Sequence, residues 1–223
     1  MEAMRQLPDK AFDLAVVDPP YGDVTPGGYF TGKSAGGVAK HPPYNPAVWY
    51  QKKPDQEYFK ELFRVSKNQI VWGGNFFSAE IRRDSPCWIV WDKCNGVTNW
   101  ADCELAWTSF GTAVRMFRFL WCGMLQGRNM TDGEKAQGNK SLNEIRIHPT
   151  QKPVPLYEWL LTHYAKPGNR ILDTHLGSGS SRIAAYNLGF DFTGYEIDEG
   201  YFRDQENRFE AHTAQISLFN TND

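Results

Sequence analysis

Short apolar runs alternate along this chain with apolar stripes of helical period. Asp13-Leu-Ala-Val-Val-Asp18 is an unbroken apolar run closed by acids, the pattern of a strand buried on both faces of a parallel sheet. Pro19 and Pro20 end it, because neither can donate to a strand ladder. Over Asp55–Val65 the apolar positions Tyr58, Phe59, Leu62, Phe63 and Val65 form one helical stripe. Gln69–Trp72 predicts a strand stopped by Gly73-Gly74, and Cys87–Trp91 and Glu104–Thr108 predict two more. Pro155–Tyr164 predicts a helix with Leu156, Trp159, Leu160, His163 and Tyr164 along one face and a proline in its first turn. Arg170–Asp173 reads as a strand, Ser181–Leu188 as a helix stopped by Gly189, Asp191–Tyr195 as a strand ending at Glu196, and about Asp198–Ala211 as a last helix. This order predicts an α/β fold: an open, mostly parallel twisted sheet with helices on both faces.

Two stretches lack periodicity. Residues from about 22 to 50 hold six glycines and four prolines and read as a long loop, a feature that in compact domains is usually functional or disordered. Between Gly123 and about Asn143 polar residues dominate, which predicts an insertion. A length of 223 residues suits one domain carrying such an insertion, placed at about 115–147. The apolar runs are too short to span a bilayer, and the N-terminus, with Glu2 and Asp9, has no leader-like apolar core, so no membrane association is expected. Cysteines 87, 94, 103 and 122 make no C-x-x-C pair and the five histidines make no H-x-x-x-H pair. Reduced core cysteines and no structural metal are the expectation.

Charge changes the picture. The net charge of −2 excludes a global polycation, yet residues 24–54 and 114–152 each carry a local +4 and leave −10 on the remainder. Solvated loops are the ordinary reading of a charge run. Two cationic segments on a near-neutral body instead suit a polyanion, and Lys33, Lys40, Arg115, Arg118 and Arg128 are the candidate phosphate contacts.

Two constellations carry chemistry. Strand, glycine turn, helix, strand and acid follow one another from Arg170 to Glu196. Gly177 and Gly179 let backbone approach a ligand at a helix N-terminus, and an acid ending the next strand can accept two hydrogen bonds from a ribose diol. The alternative is a tight turn beside an exposed acid. The second constellation is Asp18-Pro19-Pro20-Tyr21 at a strand's carboxyl end. Its carboxylate can accept from a substrate N–H, the rigid turn can aim the Pro19 carbonyl at a second N–H, and Tyr21 offers a flat face for a planar base. The alternative is a proline turn with a packed tyrosine.

Together with His148-Pro149-Thr150-Gln151-Lys152-Pro153, these segments resemble the amino-group DNA methyltransferases that use S-adenosylmethionine, in the permuted β-class order. Gln69–Phe77 and Trp88–Lys93 also resemble family segments, so the likeness covers nearly the whole chain. It implies a Rossmann-like methyltransferase sheet, a bacterial or phage-type cytoplasmic protein at the nucleoid, and methylation of N6 of adenine in DNA, the base being flipped out of the stack. Asp18 and the Pro19 carbonyl, on the corner that Pro20 completes, would accept the amine hydrogens, with Tyr21 stacking on the base. Asp173, His175, Gly177, Ser178 and Gly179 would line the cofactor, Glu196 would hold its ribose, and Thr150 and Lys152 would lie near its carboxylate end. Thr174 and His175 stand where the family turn commonly carries proline and an aromatic residue.

Asp at the first motif position favours adenine, while cytosine-N4 enzymes of the family more often carry Ser, so cytosine-N4 is the alternative. Methylation of RNA or of a protein glutamine uses a similar N-P-P-Y signature, but the H-P-T-Q-K-P segment argues against it. A non-catalytic DNA-binding or partner subunit is a reading of another class. Gln215-Ile-Ser-Leu-Phe219 resembles the bacterial sliding-clamp peptide, although an ordinary helix end or edge strand is the favoured reading of that tail.

Overall fold

Leu14, Ala15, Val16 and Val17 have almost no exposed surface, and their strand, β1 (Phe12–Val17), is central in the sheet. The computed structural model describes residues 1–22, 53–95, 101–122, 125–127 and 143–220. The expected loop at 22–50 and most of the expected insertion, with Lys33, Lys40 and Arg128, lie outside the described residues.

β1 pairs in parallel with β2 (Ser66–Trp72) on one side and β8 (Arg170–Asp173) on the other, and β8 pairs in parallel with β9 (Asp191–Gly194). β4 (Cys103–Thr108) runs antiparallel to β2 and to β3 (Ile89–Asp92), and β5 (Arg115–Arg118) closes the far edge parallel to β3. The strand order is β5-β3-β4-β2-β1-β8-β9, and β6 (Trp121–Cys122) and β7 (Leu125–Gln126) form a separate two-stranded ribbon.

The period-2 alternation of the strands divides the core into two layers. Leu14, Val16, Ile70, Trp72 and Ile171 pack with Leu156, Tyr157, Leu160 and Leu161 of α4 (Val154–Tyr164) and Ala184 and Ala185 of α5 (Ser180–Asn187). Ala15, Val17, Val71 and Leu172 pack on the other face with Met4 of α1 (Glu2–Gln6), the Tyr58, Phe59, Leu62 and Phe63 stripe of α2 (Gln56–Val65) and Ile81 of α3 (Ser78–Ile81). Asp55 starts α2 by accepting from the Tyr58 amide at 3.0 Å. The chain leaves α2 straight into β2, whose Ser66 hydroxyl still donates to Leu62 O.

This winding positions the site. From β1 the chain crosses through α2 to β2 on one side, and from β8 it crosses through α5 to β9 on the other. The carboxyl ends of β1 and β8 therefore flank the point where the winding reverses, the place where open α/β sheets hold ligands.

Three elements differ from the sequence expectation. Residues 115–118, expected to open an insertion, are instead β5: only Phe117 is buried among them, and an edge strand with one covered face does not show in hydropathy. β2 begins at Ser66, before its apolar run. The last helix, α6 (Glu199–Asn220), continues past Ala211 and includes Gln215–Phe219, where a groove-binding peptide would be extended.

Candidate active site

Asp18 is the first residue past β1, and Pro19 behind it is buried. The Tyr21 hydroxyl donates to Asp18 Oδ1 at 2.8 Å. Its ring stacks on Phe76, with centroids 4.9 Å apart and planes 20° apart, and meets the edge of Phe77 at 5.9 Å. Gly73, at φ +66°, ends β2 beneath that ring, and the next residues, Gly74–Phe76, form a turn of 3-10 helix.

Lys152 closes the corner. Only 5% of its side chain is exposed, and its Nζ lies 2.5 Å from Asp18 Oδ2, 3.1 Å from Glu104 Oε2 and 3.3 Å from the Tyr21 hydroxyl. Glu104 Oε1 in turn lies 2.5 Å from Lys93 Nζ. Burial alone would discharge the Lys152 ammonium, but Asp18 and Glu104 overrule it and hold its pKa above the ordinary lysine value. Burial likewise opposes the Glu104 charge, and Lys152 and Lys93 outweigh it, bringing Glu104 down to about 2. Burial raises Asp18, against the pull of Lys152 and with a further push from the Glu104 charge. A buried ammonium needs counter-charge, and Asp18 and Glu104 supply it to Lys152, the residue that the resemblance places near the cofactor's carboxylate end.

The glycine turn follows β8. Asp173, 1% exposed, accepts from the His175 amide at 2.9 Å through Oδ1 and from the Ser181 hydroxyl at 2.6 Å through Oδ2. Burial pushes its carboxyl up to about 7 despite these donors, aided by the charges of Asp18 and Glu196. Gly177 and Gly179, at φ +52° and +74°, occupy the left-handed region that lets the backbone turn into α5. Glu196, just past β9, ties the turn down: Oε2 accepts from the Gly177 amide at 2.8 Å, and Oε1 accepts from the amides of Ile197 and Asp198, each at 2.9 Å.

The segment before α4 packs over this turn. His148, 5% exposed, lies with its ring 3.7 Å from where a Gly177 Cβ would stand and meets Tyr201 edge-on at 4.3 Å. Burial, then Lys152, holds it down at about 4. Thr150 is exposed, its hydroxyl 3.1 Å from His148 Nδ1. Gln151 braces the loop, accepting from the Ile147 amide while its own carbonyl accepts from the Trp121 indole. Arg208 of α6 donates to Ser178 O at 2.8 Å and the Ser180 hydroxyl at 3.0 Å, and pairs with Glu144 Oε2 at 2.7 Å. The other Glu144 oxygen accepts from the Val154 amide and so caps α4. His175, brought down to about 4 chiefly by burial, packs edge-on against Tyr58, whose hydroxyl lies 2.6 Å from that of Thr174.

The proline corner and the glycine turn lie side by side at one edge of the sheet. Leu14 and Ala15 of β1 stand opposite Ile171 and Leu172 of β8, so Asp18 and the 173–175 turn leave neighbouring strands at one edge. Tyr157, buried on α4, feels the charges of Asp18, Asp173 and Glu104 together, which with burial push its phenol far above the ordinary value. Sequence reasoning missed Glu104 and Lys93, whose only signal was one charge each beside an apolar strand.

The described basic residues lie elsewhere. Arg115 is exposed on the sheet edge, and Arg118 on the same strand pairs with Asp92 at 3.0 Å. Among the described residues no group of His, Cys, Asp or Glu could hold a metal ion, and no helix is long and apolar enough to cross a membrane.

A family model described as DNA methylase matches residues 38–207, more than half of the chain, beginning after the proline corner. The type II methyltransferase M.HinfI of Haemophilus influenzae is 25% identical over 245 aligned residues, 93% of this chain and 66% of that protein. The type II methyltransferase M2.DpnII of Streptococcus pneumoniae is 39% identical over 64 residues, 29% of this chain and 24% of that protein. The chain thus spans under two thirds of either curated relative. The M1.HpyAVI–SAM complex has the same fold, with a TM-score of 0.51 and 17% identity over 92% of this chain and 91% of that one. A seven-stranded sheet whose winding reverses between β1 and β8 and a family match over most of the chain's length lead to one assignment: the chain belongs to the DNA methylase family.

Proposed function

We propose that this chain transfers a methyl group from S-adenosylmethionine to the N6 amine of adenine in DNA. The observation that carries the reading is a shared sheet edge: an acid on a rigid proline corner and an acid-flanked glycine turn leave adjacent parallel strands side by side. Membership of the DNA methylase family supports the reaction class, and the cofactor held by M1.HpyAVI supports the cofactor.

The residues at the turn fit such a cofactor. The buried carboxyl of Asp173 suits an ammonium group, the Glu196 carboxylate suits a ribose diol, and the left-handed glycines at 177 and 179 let the backbone turn tightly between them. His175, neutral at physiological pH, offers an imidazole face there without repelling a cation. When bound, S-adenosylmethionine supplies a methyl group on an electrophilic sulfonium.

The chain's own work is at the amine. An exocyclic amine is a poor nucleophile because its lone pair is delocalised into the ring. Asp18 and the Pro19 carbonyl accept its hydrogens and favour the pyramidal nitrogen of the transition state, where stabilisation accelerates the reaction. Lys152 and the Tyr21 hydroxyl hold the Asp18 carboxylate in one orientation. Phe76 and Phe77 fix the Tyr21 ring as a platform for a base. A stacked duplex hides the amine, so the base is flipped or already single-stranded, at a cost of a few kcal/mol that stacking offsets. Asp at position 18 favours adenine over cytosine-N4.

Incubation with labelled S-adenosylmethionine and mixed-sequence DNA, followed by mass analysis of the nucleosides, tests the reading. N6-methyladenine is the expected product. N4-methylcytosine replaces the base assignment, and no labelled nucleoside removes the activity. Docking of Gln215–Phe219 on a sliding clamp requires the end of α6 to unwind. Clamp binding unchanged by Leu218→Ala with Phe219→Ala disposes of that docking.

A further inference from the structure

The Lys152 ammonium donates to Asp18 Oδ2 and the Tyr21 hydroxyl and forms an ion pair with Glu104, whose Oε2 lies 3.1 Å from Nζ. Lys93, with 12% of its side chain exposed, holds the second Glu104 oxygen. Four charges from four separate segments thus form a neutral chain, Lys93–Glu104–Lys152–Asp18, that ends on the residue placed against the substrate amine. Glu104 and Lys93 reach Asp18 only through Lys152, and the mechanism above uses neither.

We propose that Glu104, anchored by Lys93, is a positioning residue that divides the Lys152 ammonium between itself and Asp18 and so leaves lone pairs of Asp18 free for the substrate amine. The inference rests on the methyl-transfer reading of Asp18. A carboxylate whose only charged neighbour is a lysine 2.5 Å away is gripped by it, and a substrate N–H must compete for the same oxygens. Glu104, 3.1 Å from the same Nζ, loosens that grip. Lys93 limits the effect, since an unneutralised Glu104 would draw the ammonium away and leave Asp18 unheld. Asp18 also faces Tyr21 beside it, Tyr157 on α4 and Asp173 at the end of β8. Both phenols stay neutral, and Asp173 is common to every variant below.

The chain makes an asymmetric prediction that a merely structural role does not. Glu104→Gln removes a negative charge and lets Lys152 fall back on Asp18, so Asp18 becomes harder to protonate. Lys93→Met removes a positive charge and frees Glu104 to compete for Lys152, so Asp18 becomes easier to protonate. Both are read by carbon-13 NMR titration of the Asp18 carboxyl in the ligand-free protein, the signal being assigned by its loss in Asp18→Asn. The midpoint is expected to fall by about one pH unit in Glu104→Gln and to rise by about one in Lys93→Met, the effect of one partly buried charge at this range. Glu104→Asp, which keeps the charge, is expected to restore most of the wild-type midpoint. Midpoints that stay put, or that move the same way in both variants, overturn the proposal; where Glu104→Gln does not fold, Lys93→Met and Glu104→Asp carry the same test.

Turnover with saturating cofactor and DNA separates this proposal from the reading beneath it. Glu104→Gln is expected to lower kcat about tenfold with KM for DNA little changed, and the acid limb of kcat is expected to follow the NMR midpoints. A kcat equal to wild type in Glu104→Gln overturns the positioning role. Full turnover by Asp18→Asn instead overturns the methyl-transfer reading, whatever residues 93 and 104 do.

Discussion

The Tyr21 ring fills the space a side chain on Gly73 would need: an added Cβ would stand 2.2 Å from Tyr21 Cε1, well inside contact distance. Gly73 also sits at φ +66°, which an alanine reaches only with strain. The glycine that stops β2 is thus what allows Tyr21, beyond the end of the neighbouring β1, to lie flat against Phe76. Gly73→Ala should lose about 2–4 kcal/mol in chemical denaturation, from the strained backbone and the displaced ring together. Turnover should fall at least about 100-fold, because a shift of about 1 Å at a positioning group has that effect. A variant with normal turnover would mean Tyr21 need not lie where it does.

The Tyr21 hydroxyl and ring make separable contributions. The hydroxyl donates to Asp18 at 2.8 Å, while the ring is held by Phe76 and Phe77. Tyr21→Phe keeps the platform and removes one bond that orients the carboxylate, so kcat should fall about tenfold or less with KM for DNA unchanged. Tyr21→Ala removes the platform too and should lower kcat/KM by a further factor of about ten or more. Steady-state kinetics on one oligonucleotide distinguishes the two, and equal losses would mean the ring contributes nothing.

Elements whose burial follows from their own pattern were legible in the sequence. Leu14–Val17 had to be a central strand, and Tyr58, Phe59, Leu62 and Phe63 had to face a core, because no other arrangement covers them. The glycine turn and the proline corner were legible because left-handed backbone and missing N–H groups restrict what residues can do locally. The charge relay was not. Glu104 and Lys93 read as surface charges, since the ammonium that joins them to Asp18 comes from Lys152, 134 residues from Asp18 along the chain. Arg115–Arg118 is not legible as a strand for a related reason: an edge strand needs one buried side chain, Phe117, and its pairing with β3 is a property of the neighbour.

Edge position bears on how DNA is held. Arg115 is exposed on β5, whereas Arg118 is already paired with Asp92 at 3.0 Å. If β5 tracks phosphates, Arg115→Gln should reduce the slope of log K against log salt by about 0.9 and Arg118→Gln by clearly less, since Asp92 has already partly neutralised it. Fluorescence titrations with one duplex at several salt concentrations read both slopes. Equal slopes for wild type and Arg115→Gln would remove β5 from the interface.

Arg208 joins three parts of the site: Ser178 O and the Ser180 hydroxyl at the glycine turn, and Glu144 at the cap of α4. Its removal strands a carboxylate that burial already raises above the ordinary value. Arg208→Met should therefore destabilise the fold by about 3–5 kcal/mol, the range for breaking a buried pair. Glu144→Gln added to it should recover part of that loss, because the amide can still accept from the Val154 amide without an unpaired charge. Strictly additive losses in a denaturation double-mutant cycle would show that the pair is not coupled.

Asp173 gives the site a pH dependence whose sign follows from its environment. Burial raises its carboxyl from 3.8 to about 7, so the folded chain holds a proton there that the unfolded chain has already lost. The associated stability is full below about pH 4 and falls away as pH rises to about 7, by at most about 4 kcal/mol. His148 and His175, held down from 6.5 to about 4, contribute the opposite slope over that range, so Asp173→Asn should remove the falling contribution and make stability rise more steeply with pH than in wild type. Cofactor binding runs opposite to that falling contribution. An ammonium beside Asp173 needs the ionised carboxylate, so affinity for S-adenosylmethionine should rise with pH up to about 7 and level off beyond it, with a proton released on binding below that point. His148 and His175, both at about 4, are neutral above about pH 5 and leave the pH dependence of binding there to Asp173. Calorimetry in buffers of different ionisation enthalpy measures the released proton directly; binding at pH 6 with no proton release in wild type would show that Asp173 is not the group that meets the cofactor's charge.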